Sequence, residues 1–321
     1  MRVLVLFLAF AAGAIAQPYR AYTATGDSVS VEAVAEAMTE AEVVFLGEQH
    51  DDAVAHALQF RLLRAVDSLA QAQGRPLVLA LEMFERDVQG VLDEYLAGLV
   101  RERDFLAAAR PWGNYETDYR PLVEYARERG LPVVASNAPH RYVSRTSRLG
   151  SESLDVLSAE AKATLPALPV APASAALDAE FTAVMQGMMG HGSAHTPPAD
   201  SAGSDSTKAP AASVAAPVHG GAMAMPTMAN MLAAQNLRDV SMAGAIADAL
   251  DADSSALVVH VNGTFHSEGG LGIPEHLARL RPGTRVLLVT MKPRDTFPAF
   301  DPTAFRTDGT GFVVVTDPAG Q

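Results

Sequence analysis

The chain has 321 residues, with 24 Lys+Arg against 37 Asp+Glu and a formal charge of −13 at pH 7. A surface that acidic repels phosphate backbones and excludes nucleic acid as an expected partner, while 49% hydrophobic and 19% charged residues make a folding composition rather than a disordered one. The absence of cysteine excludes disulfides, thiolate zinc sites, iron–sulfur clusters, covalent c-type haem, a Cys nucleophile and an acyl-lipoprotein anchor.

Residues 1–16 read as a cleavable export signal: Arg2, an apolar run over 3–15, and the small-x-small site Ala14-Ile15-Ala16. The run is too short for a span of roughly 20 residues. A mature protein starting at Gln17, periplasmic or otherwise extracytoplasmic and without a transmembrane span, is expected. Continuously apolar runs at 43–46, 77–81, 133–135, 257–261, 286–289 and 312–315 predict buried parallel strands. Helical spacing at 31–38, 53–69, 88–106, 119–129 and 231–250 predicts the helices between them, the fourth stopped by Gly130. The expectation is one α/β domain over 17–321, a mostly parallel sheet with helices on both faces. Residues 151–181 are Ala-rich and helical in part. Residues 186–228 hold Gly, Ala, Ser, Pro, Met and His with few branched apolar residues, which predicts a flexible Met/His-rich insertion.

Four polar groups follow predicted strands. They are Gly47-Glu48-Gln49-His50-Asp51-Asp52, then Glu82, then Ser136-Asn137-Ala138-Pro139-His140-Arg141, then Asn262-Gly263-Thr264-Phe265-His266. In a parallel sheet these ends share one crevice. Two of them carry Gly-x-x-His, Gly47 to His50 and Gly263 to His266, where glycine permits a sharp turn or a close approach. His50, His266, Glu48 and Glu82 form the N/O donor set of a divalent metal site. Without metal the same groups make a carboxylate–imidazole base acting on water. The bland alternative is a structural network in which a buried Glu pairs with Arg61 or Arg141. Gly269-Gly270-Leu271-Gly272 lacks dinucleotide spacing and reads as a turn, with Pro274 opening a helix. The aromatic stretch at 111–121 holds the single Trp, Trp112, with Tyr115 and Tyr119. It reads either as a loop packed on the sheet edge or as a surface for a planar ligand, since tyrosinate ligates ferric haem. Thr117 or Asp118 is the expected cap of the following helix. Met and His residues from Met185 to Met231, among them His191, His195 and His219, could bind Cu(I) or a haem iron from the insertion.

Six segments in order resemble one family: Gly47-Glu48-Gln49-His50; Leu81-Glu82-Met83-Phe84; Tyr119-Arg120-Pro121-Leu122; Ala135-Ser136-Asn137-Ala138-Pro139; Gln235-Asn236-Leu237-Arg238-Asp239; and Gly263-Thr264-Phe265-His266 with Gly272-Ile273-Pro274. Together, over about residues 40–292 and omitting the insertion, they resemble the ChaN-like haem-binding uptake family of the Tiki/TraB superfamily. The resemblance implies an exported protein that binds haem for iron uptake. Glu48, His50, Glu82 and His266 match the polar centre. Tyr115, Tyr119 and Tyr142 are the candidate haem tyrosines, with Arg141 and Asn137 beside them. Related Tiki proteases and erythromycin esterases imply an alternative, a metal-dependent hydrolase with Glu48 or Glu82 as base. The expected partner is haem or another small molecule, with a homodimer as a further expectation.

Overall fold

The computed structural model describes residues 17–190, 226–307 and 309–320. In chain order the elements are β1 (Tyr19–Thr23), β2 (Ser28–Val29), α1 (Val31–Met38), β3 (Val43–Glu48), α2 (Ala53–Ala72), β4 (Leu77–Glu85), α3 (Gln89–Leu96), α4 (Glu102–Ala109), α5 (Arg120–Arg129) and β5 (Val133–Asn137). The second half holds α6 (His140–Leu149), α7 (Ala159–Lys162), α8 (Ala175–Gly190), α9 (Met228–Ala252), β6 (Leu257–Gly263), α10 (Ile273–Leu280), β7 (Val286–Pro293) and β8 (Phe312–Thr316). The eight strands form one sheet in the order β2-β1-β8-β7-β3-β6-β4-β5. From β8 to β5 all neighbours are parallel, and β1 pairs antiparallel with both β8 and β2.

The six apolar runs are strands because both faces of the sheet are covered. Val44, Leu46, Leu79, Leu81 and Val259 point to a layer containing α1, α2 and α5. Val43, Phe45, Val78, Ala80 and Val258 point to α9 and α10. A strand buried on both sides has no solvent face to mark with polar residues. β1 and β2 escaped the sequence because they lie at the rim, with only Ala21 of β1 buried.

Three helical expectations need correction. The predicted helix over 88–106 is two, α3 and α4: Gly98 adopts φ 73° and ends the first, although Leu99 and Val100 continue the apolar rhythm. Neither Thr117 nor Asp118 caps α5; a π-helical turn, Tyr115–Tyr119, runs straight into it without a side-chain cap. Part of the supposed insertion, up to Gly190, is the end of α8. Its other end, Met228, opens α9, and residues 191–225 between, with His191, His195 and His219, lie outside the described residues, as does the predicted signal at 1–16. Among the described residues no helix is long and apolar enough to cross a membrane.

The central strands β3, β6 and β4 are adjacent, with Glu48 level with Gly263 and Leu81 level with Val261. The polar ends of three strands far apart in sequence therefore meet. α2 begins next to them, capped by Asp52, which accepts from the Ala55 N–H at 3.0 Å and from the Thr316 hydroxyl at 2.5 Å.

Candidate functional site

Glu48 ends β3 and is 1% exposed. Its Oε1 accepts from the Tyr119 hydroxyl at 2.5 Å and faces His50 Nδ1 at 3.1 Å. Its Oε2 accepts from the Gln59 amide at 2.6 Å and faces His56 Nδ1 at 3.1 Å. Burial would raise this carboxyl, but the hydrogen bonds from His50 and His56 outweigh it and the group titrates below its ordinary value. His56 is pushed up to about 9, since the bond and charge of Glu48 more than offset its desolvation. Its Nε2 contacts the His50 carbonyl at 3.2 Å, which the Asn114 amide also bonds at 3.0 Å. The turn after β3 is thus gripped from both α2 and the aromatic loop.

Glu82, 2% exposed on β4, accepts from the Gly263 N–H at 2.8 Å through Oε2 and faces His266 Nε2 at 3.2 Å through Oε1. Desolvation opposes its ionisation, yet the charge and hydrogen bond of His266 hold it well below the carboxylate range. His266 Nδ1 meets Asp239 of α9, so one imidazole lies between two buried carboxylates. Burial opposes its charge, but the two acids prevail and raise it. Asp239 itself is raised, first by burial. One imidazolium cannot fully offset two anions, and Glu82 has the Gly263 N–H in addition.

His50 links the two halves. Its ring lies against Gly263: a Cβ there would stand 2.8 Å from His50 Cε1, 2.9 Å from Nε2 and 3.8 Å from Glu82 Oε2. Gly263 has an ordinary φ of −60°, so glycine is needed here for room and not for a left-handed turn. Trp112 sits edge-on to the His50 ring with centroids 4.8 Å apart. Although desolvation lowers it, the bond from Glu48 and the charges of Glu82 and Glu48 leave His50 raised. Its side chain is 34% exposed against 7% for His266 and 4% for His56. Among the described residues its Nε2 has no hydrogen-bond partner. This imidazole is the accessible one.

The structure brings Glu48, His50, Glu82 and His266 together as the sequence suggests, but as carboxylate–imidazole pairs. Among the described residues no three His, Asp or Glu side chains form a group suited to hold a metal ion. The bland pairings also differ: Arg61 pairs with Glu32, and Arg141 with Asp87. The three tyrosines part company. Tyr115 packs between Phe84 and Phe105 with a buried hydroxyl that has no partner among the described residues, and burial pushes its pKa up. Tyr119 is buried against Glu48, and desolvation plus that negative charge push it further up. Neither fits a tyrosinate ligand. Tyr142 is half-buried in the first turn of α6, with the Arg141 guanidinium 4.4 Å over its ring. Asn137 is buried, its Oδ1 3.4 Å from Arg238.

Sequence reasoning gave no role to His56, Gln59 and Asp239. Asp52, His56 and Gln59 recur at helical spacing on the buried face of α2, and half-buried Gln235 lies one turn before buried Asp239 on α9, with the Gln235 amide 3.0 Å from His266 Nε2. Polar residues repeating on an otherwise apolar helix face were the available signal.

Residues 34–277 match the family described as haem-binding uptake, Tiki superfamily, ChaN. Among solved structures the chain is similar to ChaN of Campylobacter jejuni, described with cofacial haem binding: TM-score 0.61 at 12% identity, covering 93% of this chain and 97% of that one. At this identity the likeness concerns the fold. Weaker similarity extends to an erythromycin esterase mutant in its open conformation (TM-score 0.41, 14% identity, 89% and 78% covered) and to the type III effector HopBA1 (0.44, 10%, 89% and 93%). No curated protein matches the sequence.

Proposed function

Since the chain belongs to the haem-binding uptake (ChaN) family of the Tiki superfamily, we propose that it is an exported protein that binds haem for iron uptake at the C-terminal edge of its sheet. The observation that carries this reading is His50. Its Nδ1 is held by a buried carboxylate, and on a 34% exposed side chain its Nε2 has no partner among the described residues. Carboxylate support of one ring nitrogen fixes the tautomer and raises the basicity of the other, as in metal-ligating histidines generally. Haem would present an iron able to take such a lone pair. Trp112 offers an apolar edge beside it. Tyr142 is the one of the three tyrosines placed near the surface, and Arg141 beside it would meet a propionate. Export, and with it a site of action outside the cytoplasm, is supported by the apolar run and the small-x-small site within 1–16. The experiment is a titration of the mature protein with ferric haem, followed in the Soret region. Saturable binding is expected; absorbance that rises linearly, as for free haem, would overturn the reading.

A second reading is hydrolysis, and the depth of the site favours it. Glu48, Glu82 and Asp239 with His50, His56 and His266 are more proton-carrying groups than a binding surface needs. In this reading Glu82 or Glu48 acts through His50 on a water molecule. Turnover of activated esters that vanishes in Glu82→Gln, without any haem saturation, would move the conclusion to it.

A further inference from the structure

We propose that Asp239 is a positioning residue for this site: it fixes the His266 ring, and through that ring Glu82 and the Gly263 turn against which His50 rests. This rests on the reading of His50 as the ligand-facing group. Asp239 is fully buried on α9, and its Oδ1 meets His266 Nδ1. The opposite ring nitrogen meets Glu82 Oε1 at 3.2 Å, and Glu82 Oε2 accepts from the Gly263 N–H at 2.8 Å. The chain of contacts is continuous from α9 to the floor beneath His50.

Two further observations argue against Asp239 as filler. Its Oδ2 is buried and has no hydrogen-bond partner among the described residues, a costly state for a carboxylate that only filled space. The neighbouring backbone is also cleared for it. Gly272 adopts φ 67°, and a Cβ there would stand 3.2 Å from both Cγ and Oδ2 of Asp239 and 2.6 Å from the His266 carbonyl. A side chain at 272 would drive the acid and its imidazole apart. With both nitrogens engaged, the His266 ring has one orientation, so Glu82 can be held by the ring and by Gly263 at once.

The test compares wild type with Asp239→Asn, which keeps the shape of the side chain and removes its charge, using the mature chain without ligand. Nitrogen-15 NMR of the imidazoles reads the His266 ring, and the Gly263 amide proton reads Glu82. The expected result is loss of the low-field His266 Nδ1–H signal together with a shift of the Gly263 amide. Ferric-haem affinity should fall, but by less than the roughly 10–100-fold that losing a direct partner of the ligand costs, because Asp239 reaches His50 only through His266, Glu82 and Gly263. An unchanged ring signal overturns the proposal, and so does a changed ring with an unchanged Gly263 amide, since the relay would then end at His266. If wild type itself does not bind haem while both NMR changes occur, the haem reading fails and the positioning role stands. Should Asp239→Asn not fold, Asp239→Ser, which underfills the site without overpacking it, is read in the same way.

Discussion

Tyr115 and Tyr119 lie four residues apart, both buried, and their hydroxyls have opposite fates. Tyr119 donates to Glu48 at 2.5 Å, whereas the Tyr115 hydroxyl is buried, its ring against Phe84 and Phe105, without a partner among the described residues. An unsatisfied buried hydroxyl costs about 1–3 kcal/mol, and a paired one contributes about 1 kcal/mol net. Tyr115→Phe should therefore leave stability unchanged or raise it by up to about 1 kcal/mol, while Tyr119→Phe should lower it by about 1–3 kcal/mol by uncovering Glu48. Chemical denaturation of both variants checks this, and equal losses would show that the two environments are misread. At this scale the sequence exposed only part of the site. The repeated Gly-x-x-His was visible because it interrupts apolar strands. His56 and Asp239 were missed because their signal is only a helical repeat of polar residues, and that repeat reads the same whether the face meets water or a buried carboxylate.

The strands were legible and their ends were informative, since short β-branched runs such as Val43-Val44-Phe45-Leu46, stopped by Gly47, suit a doubly covered strand better than a helix. Order across the sheet was not legible. Nothing local states that β6 lies between β3 and β4, and that placement is what sets Gly263 against His50. It gives a prediction for the strand end. Alanine at 263 suits the local φ of −60°, yet its Cβ would stand 2.8 Å from the His50 ring. The partly exposed ring can swing outward, so Gly263→Ala should retain a near wild-type melting temperature and lose haem affinity. A variant that binds haem normally would mean that the ring's seat is unimportant. At the start of α2, Asp52 serves both as cap and as partner of Thr316. Asp52→Ala should cost about 1–2 kcal/mol, more than an exposed cap usually would; a loss below about 0.5 kcal/mol would contradict its double role.

At the scale of the molecule, the buried histidines among the described residues divide into two sets. His56 is pushed up to about 9 and His266 is also raised, in each case because carboxylate partners overcome desolvation. His260 and His276 are held down to about 4, chiefly by burial. An unfolded histidine titrates near about 6.5. The first set therefore contributes stability that is complete below about pH 6.5 and lost as pH rises toward 9 and above. The second contributes stability that is complete above about pH 6.5 and lost as pH falls toward 4. Thermal stability should therefore peak between about pH 6 and 7 and fall on both sides, with the alkaline fall reduced in His56→Gln. A profile rising steadily to pH 9 would contradict the pairing of His56 with Glu48.

His50, supported by Glu48 and seated on Gly263, is the group proposed to face haem iron. The most direct measurement is the absorption spectrum of the ferric haem complex of His50→Ala beside that of wild type, with circular dichroism confirming the fold of each. Loss of saturable binding, or a displaced Soret band that exogenous imidazole restores, is expected. A ferric spectrum and affinity identical to wild type in a folded His50→Ala protein would contradict it.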